Sequence, residues 1–303
     1  MGSYLLENFA TFKNTILEAS EAINLDLKKL IYDGTEADLA LTANTQPALL
    51  SVSIATYRTL KELIPLKIEA TAGHSIGEYA SLVSAGAMDF STAMKAVRLR
   101  GEAMQSAVPV GEGGMLAVLG LETDQVTWLC EWTEKESGAT PLSPANFNSP
   151  GQVVISGSMK CIEWLKANFK SELIPGSPKR AKLIPLNVSA PFHCAMMKPA
   201  QEKMDSFLSS VKFNKPQFPV IQNFNAQLID APEELKQNLI QQVSAPVRWT
   251  QTMKLMESKS WFTGIECGHG SVLKGLFKKM ENPNFKILST QTKEDLELIK
   301  TQS

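Results

Sequence analysis

Hydrophobic and polar residues alternate with helical spacing along much of the N-terminal part of the chain. Over residues 46–63 the apolar positions cover more than one face, which is typical of a buried helix, and Pro47 fits its first turn. A short apolar run at 67–72 predicts a strand. The other helices that this spacing predicts cover residues 4–32, 75–85 and 91–107.

The pattern changes at Gly111, after which shorter apolar runs alternate with helical stretches in the order β-α-β-β-α-β. The strands are predicted at residues 115–119, 142–147, 153–156 and 181–188, and the helices at 123–136 and 159–169. This order is the split βαβ plan of a small ferredoxin-like unit.

Helices and strands alternate again in the last part of the chain. The helices are predicted at residues 200–210, 233–243, 250–257 and 271–279, and the strands at 218–223, 261–267 and 286–289. The alternation in the larger unit, which lies on both sides of the small one, favours a mainly parallel α/β sheet.

Composition narrows the class of protein. The chain has 303 residues, of which 44% are hydrophobic and 20% are charged, and a net charge of -1. These values are typical of a soluble globular protein with a large core, and the absence of a basic surplus argues against nucleic acid as a partner. No signal peptide and no apolar run of about 20 residues is found, so no membrane is expected. The four cysteines show no C-x-x-C or zinc-finger spacing, so free thiols in the cytoplasm are expected; they are Cys130, Cys161, Cys194 and Cys267.

The run Gly73-His74-Ser75-Ile76-Gly77 has the Gly-x-Ser-x-Gly form of a nucleophile elbow between a predicted strand and a predicted helix. In such an elbow the flanking glycines leave room for the neighbouring chain, and the N–H groups of the helix face the serine oxygen. Ser75 is therefore predicted to be a nucleophile; the alternative is a glycine-rich turn with a capping serine. We interpret Glu78 as a first-turn carboxylate that interacts with the helix dipole.

A serine nucleophile needs a base, and the chain has three histidines. His74 is a poor candidate because adjacent side chains at an elbow usually diverge. His193 follows the last strand of the small unit, and His269 lies in the turn Gly268-His269-Gly270. The residues alone leave His193 and His269 as competing candidates, and each could be structural.

Arg100 interrupts the apolar stripe of the helix predicted at 91–107, where positions 93, 97, 100 and 104 share one face. A buried guanidinium needs an anionic partner and suits a carboxylate. The alternatives are a structural ion pair, a side chain that snorkels to the surface, or recognition of a carboxylate on a substrate.

Several runs resemble the malonyl-CoA:acyl carrier protein transacylase family, in order along nearly the whole chain. They read TQPAL at 45–49, GHSIGEY at 73–79, LRG at 99–101, NFNSPGQVVISG at 146–157, FHCAMM at 192–197 and PVRW at 246–249. The resemblance implies an α/β fold: an α/β-hydrolase-like catalytic subdomain at 1–110 and 189–303, and an inserted ferredoxin-like subdomain at 111–188.

The resemblance also assigns roles around Ser75. His193 occupies the family's catalytic position, and the backbone carbonyl of Gln242 is expected to orient it in place of an acidic residue. The backbone N–H of Ile76 is expected to form half of the oxyanion hole.

The remaining expected site residues bind the acyl group. Arg100 matches the arginine that pairs with the free malonyl carboxylate, and Phe192 resembles the malonyl-selective form, in which a bulky ring crowds an α-methyl branch. Met104 and Gln46 match positions that line the pocket.

The implied reaction is ping-pong transfer of a malonyl group from malonyl-CoA to the phosphopantetheine thiol of acyl carrier protein, for fatty acid biosynthesis. No cofactor and no metal are expected, and the chain is expected to act as a monomer. Alternative functions are a discrete acyltransferase of a polyketide synthase, a serine thioesterase or esterase, and a non-catalytic binding module. Arg100 and Phe192 argue against a general esterase, which has no need of a carboxylate clamp.

Two features depart from the family's pattern. The turn Gly268-His269-Gly270 replaces Gly-Pro-Gly, and a structural role is expected for His269. The family begins with a strand and a Gly-Gln-Gly turn that supplies the other oxyanion donor, whereas this sequence opens with residues that resemble the region just after that turn. Losing one such donor costs roughly 2.7–4 kcal/mol. We therefore expect the chain as written to be poorly active and unstable, and an upstream-extended form to be active.

Overall fold

The computed structural model describes residues 1–176 and 180–302, and the part before the small unit is mostly helical. The range predicted as helical at 4–32 is divided into three helices, because Phe9 is extended between the first two and Asn24 adopts the left-handed conformation (φ 49°) at the end of the second. The helices are α1 (Ser3–Asn8), α2 (Ala10–Ile23), α3 (Leu27–Tyr32), α4 (Glu36–Ala40), α5 (Thr42–Leu63), α6 (Gly77–Ser84) and α7 (Phe90–Ser106), and the strand β1 covers Thr71–Ala72.

Helix α5 begins four residues earlier than the sequence pattern predicts, so Pro47 lies inside the helix and not in its first turn. A proline has no N–H, which leaves the carbonyl of Ala43 without its helical partner. Arg98 on α7 donates from Nη1 to this carbonyl at 3.0 Å. Gly101 lets the two helices approach closely, because a Cβ at this position would lie 2.7 Å from the backbone of α5. This contact fixes α7, which carries Arg100.

The small unit has the predicted β-α-β-β-α-β order. Its elements are β2 (Gly113–Leu119), α8 (Thr123–Ser137), β3 (Leu142–Ser149), β4 (Gln152–Ser158), α9 (Met159–Asn168) and β5 (Lys182–Pro185). The strands form an antiparallel sheet in the order β3-β4-β2-β5. Alternate residues of β2 face opposite sides: Leu116 packs with helices α8 and α9, whereas Met115 packs with Phe192 of the larger unit.

The last part of the chain contains short strands between helices. These elements are α10 (Lys198–Ser209), β6 (Val220–Ile221), β7 (Leu228–Ile229), α11 (Pro232–Gln241), α12 (Trp249–Ser258), β8 (Thr263–Ile265), α13 (Val272–Lys278), β9 (Lys286–Leu288) and α14 (Lys293–Gln302). Parallel pairing occurs between β1 and β6 and between β8 and β9, while β7 adds antiparallel to β6. The expected parallel sheet is therefore divided between two small sheets, and β7, α4 and α14 were not predicted.

One expectation about chain organisation, the division at residues 110/111 and 188/189, stays a prediction. Across the residues that the structure describes, no helix combines the length and the apolar character needed to cross a membrane.

Candidate active site

Ser75 lies in the tight connection between β1 and α6, with a positive φ of 51°. This conformation is strained for a residue other than glycine, so the surrounding structure must hold it. Asn223, which follows β6, bridges the turn with its side-chain amide. Its Oδ1 accepts from the Ser75 N–H at 2.6 Å and its Nδ2 donates to the Gly73 carbonyl at 2.8 Å. The elbow predicted from the sequence is present, and a second strand end holds it.

The two glycines of the motif have different steric surroundings. A Cβ at Gly73 would lie 2.1 Å from the backbone of Gly77, whereas a Cβ at Gly77 would meet no atom within 4 Å. The steric explanation is therefore confirmed for Gly73 and wrong for Gly77.

Replacing Gly73 with alanine is expected to slow labelling of Ser75 by a serine-directed fluorophosphonate about 100-fold, because the elbow must shift to admit the methyl group. The matched variant Gly77→Ala is expected to label within about threefold of the wild-type rate. Equal rates for the two variants would contradict this steric account.

His193 lies directly beside Ser75. Its Nε2 is 2.7 Å from Ser75 Oγ, and its Nδ1 is 2.9 Å from the backbone carbonyl of Gln242. Because a carbonyl can only accept, Nδ1 carries the proton and Nε2 has a free lone pair for the serine proton. Burial and the charge of Arg100 lower the pKa of His193 to about 3, which keeps the imidazole neutral as a base requires.

The other two histidines lie elsewhere. His74 faces Asn148 of the small unit, with Nε2 and Oδ1 2.8 Å apart, and packs against Trp249. His269 is exposed in its turn. Of the two candidates left open by the residues alone, the structure brings His193 and not His269 to Ser75; the structural role of His269 stays a prediction.

Arg100 is 1% exposed and points its guanidinium at the same serine. Its Nη2 donates to Ser75 Oγ at 3.1 Å and to the side-chain oxygen of Gln242 at 3.0 Å, and its Nη1 donates to Gln46 Oε1 at 2.8 Å. The Nε–H has no partner among the described residues, and none of the ion pairs found there includes Arg100. The structural ion pair and the snorkelling side chain are therefore both wrong, and a buried cation with neutral partners faces Ser75.

Of the expected pocket residues, Gln46 contacts this cation directly and Met104 contacts Gln46. Met104 is buried one turn along α7, and its sulfur lies 3.8 Å from Gln46 Nε2. Phe192 is half-buried and contacts both the large core and the inner sheet face of the small unit. The backbone N–H of Ile76, at the start of α6, donates no hydrogen bond within the described residues. It is therefore free to donate to a ligand oxygen.

Comparison with known proteins identifies the family. The model of the acyl transferase domain family matches residues 1–294. A malonyl CoA-acyl carrier protein transacylase of Haemophilus influenzae is 42% identical over 267 residues, which cover 88% of this chain and 83% of the relative. The chain belongs to the malonyl-CoA:acyl carrier protein transacylase family.

Solved structures of this family agree with the fold. FabD from Acinetobacter baumannii is 40% identical with a TM-score of 0.91, and the match covers 100% of this chain and 93% of that one. A malonyl-transacylase in complex with a holo type II PKS acyl-carrier protein is 37% identical with a TM-score of 0.89, over 99% of this chain and 94% of that one.

One residue of this transacylase-family site was described incompletely from the sequence, and another was missed. Glu78 lies in the first turn of α6, as predicted, but it is also completely buried and hydrogen-bonded beneath the elbow, which the sequence did not indicate. Asn223 was not predicted at all. A signal for it exists, because Gln222-Asn223 are polar residues that directly follow an apolar strand, and the ends of parallel strands meet at one edge of a sheet.

Proposed function

We propose that this chain transfers a malonyl group from malonyl-CoA to the phosphopantetheine thiol of an acyl carrier protein, for fatty acid biosynthesis. The observation that carries the proposal is the buried guanidinium of Arg100, 3.1 Å from Ser75 Oγ and without an anionic partner among the described residues. A guanidinium accommodates a carboxylate with two parallel hydrogen bonds. Malonyl-CoA offers a carboxylate two bonds from the thioester carbonyl that the serine would attack.

The reaction proceeds in two half-reactions. Ser75 Oγ attacks the thioester carbonyl while His193 Nε2 takes the serine proton; the carbon–sulfur bond breaks, and His193 returns the proton to the sulfur of coenzyme A. The malonyl ester on Ser75 stays paired with Arg100. The carrier thiol then attacks the ester carbonyl while His193 takes the thiol proton; the bond between the acyl carbon and Ser75 Oγ breaks, and His193 returns the proton to Ser75 Oγ. The N–H of Ile76 stabilises the oxyanion of each tetrahedral intermediate.

The other expected residues have supporting roles in this proposal. Gln46 holds one arm of the Arg100 guanidinium and Met104 packs against Gln46, so that the cation keeps one orientation. Phe192 limits space near the acyl group and disfavours an α-methyl branch. Serine, histidine and arginine supply nucleophile, base and clamp, so the proposed steps need no cofactor. The subdomain division at 111–188, the cytoplasmic location and the monomeric state belong to the same proposal.

The second candidate is the same transfer in a polyketide pathway. It is favoured by the likeness to the malonyl-transacylase that was solved with a type II PKS acyl-carrier protein. The chemistry at Ser75 would be identical, so the two functions differ only in the carrier protein.

The test incubates the chain with malonyl-CoA alone, with a holo fatty acid carrier protein, or with a holo polyketide carrier protein. We expect a malonyl adduct on Ser75 without carrier and malonyl-carrier when a carrier is present, with the fatty acid carrier preferred. The apo carrier, which lacks the thiol, is the control. Release of free malonate at the same rate with and without carrier would instead identify a thioesterase.

A further inference from the structure

The carboxylate of Glu78 lies beneath the elbow, fully buried, on the first turn of α6. Its Oε2 accepts from the Asn223 N–H at 2.7 Å and from Gln242 Nε2 at 3.0 Å, and its Oε1 accepts from Gln222 Nε2 at 3.0 Å. Burial raises the pKa of Glu78, while these three hydrogen bonds and the charge of Arg100 act in the opposite direction. Glu78 touches none of the reacting atoms, so the reaction steps do not explain it.

The hydrogen-bond partners of Glu78 require an ionised carboxylate. A backbone N–H can only donate. The orientation of the Gln222 amide is fixed because its Nε2 also donates to the Leu235 carbonyl, and that of Gln242 is fixed because its Oε1 accepts from Arg100. All three groups that face Glu78 are therefore donors, and a protonated carboxyl would find no acceptor among them.

Gln242 connects this anion to Ser75, His193 and Arg100. Its side-chain Nε2 donates to Glu78 and to the Ser75 carbonyl, its Oε1 accepts from Arg100, and its backbone carbonyl accepts from His193. The amide of Gln242 thus lies between a buried anion and a buried cation, with its positive end toward Glu78 and its negative end toward Arg100. This arrangement places an anion one side-chain amide away from the guanidinium, whose Nε–H has no partner among the described residues.

Asn223 connects the same anion to the elbow. Its backbone N–H donates to the Glu78 carboxylate, and its side-chain amide bridges the Gly73 carbonyl and the Ser75 N–H. The strained conformation of Ser75 therefore depends on the position of Asn223.

We propose that Glu78 is a positioning residue of this active site: its ionised carboxylate fixes Asn223 and Gln242, and these two residues hold Ser75, His193 and Arg100 in one arrangement. The part of the proposal that concerns acyl selectivity rests on the proposed malonyl transfer. The part that concerns the elbow does not.

The test is Glu78→Gln, which places an NH2 group against at least one N–H donor. Rates are normalised to titrated active sites. Labelling of Ser75 by a fluorophosphonate is expected to slow at least about tenfold, and acylation by malonyl-CoA about 100-fold, because the elbow and the base lose their fixed geometry. The preference for malonyl-CoA over acetyl-CoA is expected to fall about tenfold, the size of one weakened hydrogen bond to a charged group.

The matched control is Glu131→Gln, the same change at an exposed position of α8, which should leave the labelling rate and the malonyl/acetyl ratio unchanged. Glu78→Asp keeps the negative charge. It is expected to retain part of the labelling rate and part of the malonyl/acetyl preference that Glu78→Gln loses. If Glu78→Gln lowers only yield or melting temperature, with labelling per titrated site and the ratio unchanged, Glu78 is merely a structural residue and the proposal is overturned.

A second variant covers the case in which Glu78→Gln does not fold. Asn223→Ala removes the bridge across the elbow but keeps Gln242 and its contact with Arg100. Slower labelling with an unchanged malonyl/acetyl ratio supports the proposal, and wild-type labelling overturns it. If the wild type labels normally but transfers no malonyl group to any carrier, the proposed function fails while the labelling rates still decide the role of Glu78.

Discussion

Replacing Ser75 with alanine is expected to remove the malonyl adduct and to lower transfer by a factor of about a million, the loss typical of removing the nucleophile of a serine enzyme. The reason is geometric. Ser75 Oγ is the hydroxyl that lies 2.7 Å from a neutral imidazole nitrogen and 3.1 Å from a buried cation. Intact-protein mass spectrometry after incubation with malonyl-CoA measures the adduct, and the rate of malonyl-carrier formation measures transfer.

The matched control is Ser210→Ala, an exposed serine whose hydroxyl donates only to the carbonyl of Phe207 at the end of α10. It should acylate at the wild-type rate. A malonyl adduct that persists in Ser75→Ala, located by peptide mapping on another side chain, would show that Ser75 is not the nucleophile.

The parts of the site that the sequence could predict are those with local signals. Ser75 and Ile76 belong to five consecutive residues at a strand-to-helix junction, so the motif and its context occur together. Arg100 could be predicted as buried because its neighbours on one helix face are apolar, and the structure confirms this burial at 1% exposure. The order of elements in the small unit was also predictable, since the spacing of apolar residues there distinguishes each strand from each helix.

The rest depends on contacts between distant parts of the chain. His193 is 118 residues from Ser75, and the residues alone could not choose between it and His269. Glu78 has the sequence context of an ordinary first-turn carboxylate; only the packing of Gln222 and Gln242 against it makes it a buried anion. The strands outside the small unit were predicted too long for the same reason, because a strand ends where its pairing partner ends. β1 keeps only the two residues that pair with β6.

Arg100→Ala is expected to lower kcat/KM for malonyl-CoA by about 1,000-fold, within the range for truncating one partner of a buried, hydrogen-bonded charge pair. Acetyl-CoA has no free carboxylate, so its acylation of Ser75 should stay within about tenfold of wild type, the size of the one hydrogen bond that Arg100 gives to the serine. Single-turnover acylation with each thioester measures the two values.

The ratio of these values separates recognition from folding. Arg58→Ala is the matched control: it removes an arginine of α5 that pairs with Glu18 and not with Ser75. It should leave the malonyl/acetyl ratio unchanged even if stability falls. Arg100→Lys keeps the charge but not the planar pair of donors, so we expect only partial recovery. An equal fall in kcat/KM for malonyl-CoA and acetyl-CoA in Arg100→Ala would mean that Arg100 supports the site without binding the substrate carboxylate. The malonyl assignment would then lose its main support.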